Sequence, residues 1–137
     1  MKAWVIEKIK DLNKEEEPLK QVELPKPKPK TGELLIKIHV CGICHTELDE
    51  IEGRTPPPEF PVVPGHQVVG IVEEVADKQS NFKIGDRVGV AWIYYACGKC
   101  HYCSTGRENL CFDFLATGRD VHGGYAEYMV TRERFVY

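Results

Sequence analysis

Four of the chain's six cysteines fall in one short stretch, CGKCHYCSTGRENLC, from Cys97 to Cys111. No other feature limits so tightly what this chain can fold into. The stretch has few apolar residues, so its cohesion must come from the cysteines rather than from burial. The spacing is C-x2-C-x2-C-x7-C, at Cys97, Cys100, Cys103 and Cys111. Two-residue gaps let a tight turn aim successive sulfurs at one point. The longer gap brings the chain round to close a tetrahedron. Zn(II) favours four soft thiolates at about 2.3 Å. Four protein ligands leave no position open for substrate, so such a site is structural. Its binding free energy, on the order of 10 kcal/mol in small zinc peptides, becomes folding free energy. Lys99, His101 and Arg107 stand among the ligands and are placed to offset the excess negative charge. The same residues also suit two disulfides, a redox C-x-x-C at Cys97 and Cys100, or an iron–sulfur cluster. A reducing intracellular setting disfavours the disulfides and the missing βαβ context disfavours the redox pair; four cysteines at this spacing favour zinc, with the iron–sulfur cluster kept as the minor alternative.

Composition narrows the setting. The 137 residues suit one domain with a modest core, at 42% hydrophobic and 28% charged. A net charge of −3 and a pI near 6.0 give no basis for binding nucleic acid or a membrane surface. No apolar run approaches the length of a membrane span, and MKAWVIEKIKDLNKEEEPLK lacks a signal-peptide pattern. A cytoplasmic chain is expected, where thiols stay reduced and clustered cysteines point to metal or catalysis.

The rest of the chain reads as mainly β. KAWVIEK, ELLIKIHV, QVVGIVEEV, DRVGVAWI and YAEYMV alternate or run apolar with β-branched residues. Between them lie turns rich in Gly, Pro, Asn and Asp. LPKPKPKTGE (Leu24–Glu33) is stiff and solvated, a surface connection between strands. One short helix is expected after Cys44, through HTELDEIEG, closed by Gly53. Many short strands with one or two short helices predict a small barrel or sandwich. No GxGxxG follows a strand, so a dinucleotide-binding Rossmann unit is absent from the sequence.

The remaining cysteines lie in VCGICHTELDE, and VPGHQVVG follows with His66. A Cys and a His from separate loops can share a metal. A catalytic zinc has three protein ligands and an open fourth position. By itself the pair is a weak signal: Cys41 and Cys44 also suit small buried hydrophobes, and a His after Pro-Gly also suits a turn.

Taken together, the segments say more. GICHTEL, FPVVPGHQVVGIVEEV, FKIGDRVGV, CGKCHYCSTGRENLC and GGYAEY stand in the order and spacing of the zinc-containing medium-chain alcohol dehydrogenases. From about Val5 to Tyr137 the chain resembles the N-terminal GroES-like catalytic domain of that family. The resemblance implies a partly open GroES-like β-barrel over residues 1–137, with a zinc-binding lobe at about 95–113. It also implies a Rossmann NAD(P)-binding domain elsewhere in the complete enzyme, and a complete enzyme that is a homo-oligomer. Cys44 and His66 match two of the ligands in the family's established catalytic-zinc pattern of two cysteines and a histidine. The third ligand matches a position beyond Tyr137, so this chain alone is expected to be inactive. Cys41 matches a position that is not a ligand.

Other positions follow by the same resemblance. Thr46 matches the hydroxyl that relays the alcohol proton, and His45 a position that approaches the cofactor pyrophosphate. Glu47 stands where the family usually has the Asp that orients the zinc-bound His. Gln67 replaces a common Glu, removing a negative charge near the metal. Asp49 stands where many members end the relay with a His, and an ionised Asp is a weaker base. Phe60, Trp92 and Tyr94 are candidates for the substrate cleft. The implied function is oxidation of a small alcohol to an aldehyde or ketone, with zinc and NAD or NADP as cofactors. The alternatives are a polyol, formaldehyde or cinnamyl-type dehydrogenase, or a stand-alone zinc-stabilised β-domain acting as an interaction module.

Overall fold

A computed structural model describes residues 1–137. Nine short segments of regular structure carry the chain: β1 (Lys2–Val5), β2 (Lys20–Glu23), β3 (Glu33–Cys41), α1 (His45–Glu52), β4 (Val68–Val75), β5 (Arg87–Val90), β6 (Ile93–Tyr95), β7 (Leu115–Ala116) and β8 (Tyr128–Arg132). Single 3-10 turns lie at Cys103–Thr105, Glu108–Leu110 and Glu133–Phe135. The main sheet is antiparallel in the order β5-β4-β3-β8, and β1-β2 and β6-β7 form two-stranded ribbons. Isolated bridges Ala3–Ala126, Ile6–Val62 and Val90–Val136 join these pieces into an open, barrel-like body.

Alternation along the strands builds the core. Leu34 and Ile36 of β3, Val68 and Val72 of β4, Val88 and Val90 of β5 and Met129 of β8 bury one continuous cluster, with Val136. A separate small core, Ala96, Cys103, Cys111 and Phe135, sits under the four-cysteine lobe. Phe135 enters it from the 3-10 turn that follows β8, so the barrel's last turn anchors the lobe.

The expected strands and helix form, with shifts at their ends. DRVGVAWI divides at Ala91–Trp92 into β5 and β6. YAEYMV becomes strand only from Tyr128, because Gly124–Ala126 are drawn into backbone contacts with Pro64, Gly65 and β1. Helix α1 ends at Gly53, at φ 78°, as the sequence indicates.

Candidate functional site

Helix α1 and the turn before β4 bring the second constellation together through Glu47. Glu47 is the third residue of the helix, and its buried carboxylate reaches back to the helix entrance. Its Oε2 accepts a hydrogen bond from the Cys44 amide at 2.6 Å. Its Oε1 faces His66 Nδ1 at 3.0 Å. That contact has ion-pair spacing without hydrogen-bond alignment, and neither atom has another partner. One carboxylate therefore touches the backbone of one candidate ligand and the ring of the other. With Nδ1 directed at Glu47, Nε2 is the ring nitrogen left for a metal.

The turn that carries His66 is held from behind by a glycine-rich loop. The amides of Gly123, Gly124 and Tyr125 donate to the carbonyls of Val63, Gly65 and Pro64 at 2.7, 2.8 and 3.0 Å. The backbones are so close that a Cβ on Gly123 would lie 2.0 Å from the Gly65 oxygen. The GGYAEY segment thus sets the position of the residue preceding His66.

The other candidates take varied places. Cys44 Sγ lies 3.5 Å from Thr46 Oγ1. His45 is largely exposed at the start of α1, with Nε2 3.6 Å from Asp49 Oδ1. The same Asp49 oxygen accepts from Arg54 Nε, so an arginine occupies the carboxylate assigned to the end of the relay. Gln67 is exposed and folds over Gly42, its Oε1 2.6 Å from where a Gly42 Cβ would sit. Cys41 is half-buried with its sulfur against Gly65 and Gly124, and burial pushes its thiol up to about 11. That keeps it protonated near neutrality.

Of the three aromatic candidates, Tyr94 is committed elsewhere. Its hydroxyl donates to the buried Glu33 carboxylate at 2.9 Å. Its ring lines a cavity of about 450 Å³ whose walls include neither Cys44 nor His66. Trp92 packs against Phe114 at 4.9 Å between ring centroids, and Phe60 is part-exposed.

Sequence reasoning missed Glu50. It is completely buried on the same helix face as Glu47 and Ile51, and neither carboxylate oxygen has a hydrogen-bond partner. Burial pushes it up to about 8, helped by the neighbouring charge of Glu47 and opposed by Arg119. The signal was available in the i, i+3, i+4 stripe of Glu47, Glu50 and Ile51.

The four-cysteine lobe holds its sulfurs as a cluster. All four Sγ atoms lie within 4.8 Å of one another, with Cys97–Cys103 at 3.9 Å and Cys100–Cys103 at 3.6 Å. Sulfurs 2.3 Å from a tetrahedral centre stand about 3.8 Å apart, so donor type and spacing both fit a tetrathiolate metal. All six cysteines are free thiols. Backbone amides point into the cluster: Cys97 N–H to Cys111 Sγ and Cys100 N–H to Cys97 Sγ, both at 3.4 Å. The Lys99 and Cys100 amides pull Cys97 down to about 6, whereas burial pushes Cys103 up to about 12. Arg107 Nη2 donates to His101 Nε2 at 3.0 Å and Arg107 Nε to Thr105, so those two expected counter-charges are engaged with each other.

An alcohol dehydrogenase of Geobacillus stearothermophilus is 46% identical over 129 residues, covering 93% of this chain and 36% of that protein. The structure of a cobalt- and zinc-bound thermostable alcohol dehydrogenase from Pyrobaculum aerophilum matches with a TM-score of 0.88 at 30% identity, over 99% of this chain and 40% of that one. CAD from Helicobacter pylori, complexed with NADP(H), matches at 0.83 and 27%, over 98% and 40%. The chain thus spans well under half the length of these proteins. Residues 30–137 match the alcohol dehydrogenase GroES-like domain, and the chain belongs to that family.

Proposed function

We propose that this chain is the zinc-holding, alcohol-binding part of an NAD(P)-linked alcohol dehydrogenase. The observation that carries the reading is the Glu47 carboxylate, buried between the Cys44 amide and His66 Nδ1. A structural turn needs no carboxylate there, but a metal-binding imidazole is oriented by one. Zinc held by Cys44 and His66 would supply Lewis acidity toward an alcohol or carbonyl oxygen, and NAD or NADP would supply the redox chemistry.

The chain's own residues prepare that chemistry. Glu47 fixes the His66 ring so that Nε2 faces the metal. Thr46 Oγ1, beside Cys44, takes the alcohol proton and passes it outward. His45, exposed at the start of α1, is positioned for a cofactor phosphate. Asp49, held by Arg54, anchors His45 rather than serving as a base. The four-cysteine lobe takes a second, structural zinc. No helix is long and apolar enough to cross a membrane, and the six free thiols suit a reducing, cytoplasmic setting. The proposed partners are a small alcohol or aldehyde and further copies of the same enzyme.

Native mass spectrometry with ligand variants tests this. The chain should carry zinc that Cys97→Ser removes and Cys44→Ser leaves in place. In the enzyme with its cofactor-binding part, Cys44→Ser or His66→Ala should abolish NAD(P)-dependent alcohol oxidation. Full activity in either variant would refute the assignment.

A further inference from the structure

Four thiolates around one Zn(II) leave a net charge of −2, which something nearby must offset. Inside the lobe, the first contribution is backbone. The amides of Cys97 and Cys100 donate to the sulfurs of Cys111 and Cys97 respectively, both at 3.4 Å. A full positive charge comes from far along the chain. The Arg134 guanidinium meets Gly98 edge-on through Nη1, such that a Cβ on Gly98 would meet Nη1 at 2.2 Å, Cζ at 3.1 Å and Nη2 at 3.2 Å.

We propose that Arg134 is the counter-charge of the four-thiolate site, carried to it by the barrel's last turn. The inference rests on reading the four cysteines as a zinc site. Three observations support it. First, no carboxylate lies within ion-pair reach of Arg134 and its side chain makes no hydrogen bond; its Cζ lies 5.5 Å from the Phe135 ring centroid, which keeps the charge beside the lobe's core. Second, the neighbouring Phe135 is buried in the lobe's core against Cys103 and Cys111, which fixes the backbone from which Arg134 projects. Third, the arginine nearer in sequence, Arg107, is hydrogen-bonded to His101 and Thr105. The proposal also gives a reason for glycine at position 98. A side chain there would push the guanidinium off the turn between Cys97 and Cys100.

The test is the rate at which zinc leaves the lobe for a colorimetric chelator, measured on the folded 137-residue chain. Arg134→Gln should release zinc about tenfold faster at low salt, the lower end of what outer partners of metal sites contribute. Arg134→Lys should fall between, and Arg107→Gln should match the parent. High salt should narrow the gap between Arg134→Gln and the parent, which a purely packing role would leave unchanged. Gly98→Ala displaces the guanidinium without removing it. It should therefore accelerate release far more in the parent than in Arg134→Gln, since the backbone strain is common to both. An Arg134→Gln rate within twofold of the parent at low salt overturns the proposal. If that variant does not fold, the parent decides: release that is insensitive to salt between about 20 and 500 mM overturns it. If the parent holds no zinc, the zinc reading itself has failed, an outcome distinct from zinc that is bound but indifferent to Arg134.

Discussion

Glu50 makes the fold's stability depend on pH in a direction opposite to most carboxylates. Its side chain is wholly buried with both oxygens unpartnered, facing Glu47 and Asp49 of its own helix and Arg119 and Asp120 of the loop before Val121. In the unfolded chain it releases its proton near 4.5, and in the fold only near 8. Between those values the folded state binds more protons than the unfolded one, so stability falls as pH rises. Below 4.5 the penalty is absent, and above about 8 it is complete. At 1.36 kcal/mol per pH unit, the loss between pH 5 and pH 7 is roughly 2 to 3 kcal/mol. Gln keeps the shape and cannot ionise. Urea unfolding of the parent and Glu50→Gln at pH 5 and pH 7, both saturated with zinc, isolates the effect. Protonation of the cysteines and histidines adds the same slope to both proteins. The variant should gain roughly 2 to 3 kcal/mol on the parent as pH rises across that range. Parallel pH dependence in the two would refute the account of Glu50 as a neutral buried acid.

Three further outcomes are expected. Gly123→Ala forces a methyl group against the Gly65 carbonyl and should destabilise the fold by about 1–3 kcal/mol or more, read from the urea midpoint. Tyr94→Phe leaves one oxygen of buried Glu33 without its donor, although Lys30 N–H still serves the other; a loss of about 1–2 kcal/mol in the same assay is expected. In the enzyme with its cofactor-binding part, Glu47→Gln should weaken metal retention at the Cys44–His66 site about tenfold in chelator competition, with the lobe zinc unaffected.

What could be read from the sequence followed from local pattern. β3 and β4 were visible because alternation and β-branching coincide in ELLIKIHV and QVVGIVEEV. The helix was visible because His45–Glu52 sits between Cys44 and a glycine stop. The lobe was visible because four cysteines at short spacing have few other uses. β2 and β7 were not, because KQVE and the two-residue LA carry no period of their own; each exists only through its partner strand. Two side chains lie beyond the reach of local pattern for the same reason. Lys99, His101 and Arg107 are the cations near the cysteines in sequence, whereas only tertiary folding brings Arg134 against Gly98. Tyr94 stands next to a strand break, and only the fold shows that its hydroxyl turns to Glu33.

The bridge between β1 and residues 125–127 has a consequence for synthesis. Trp4 N–H donates to the Tyr125 carbonyl, Ala3 bridges Ala126, and the Lys2 amide donates to the Glu127 carboxylate. This partner of β1 is made more than a hundred residues after it. At about 5–20 residues per second on a ribosome, that wait lasts roughly 6 to 25 seconds. Over that interval Ala3 and Val5 stand without the neighbours that later cover them, a span in which a nascent chain depends on chaperones to stay unaggregated.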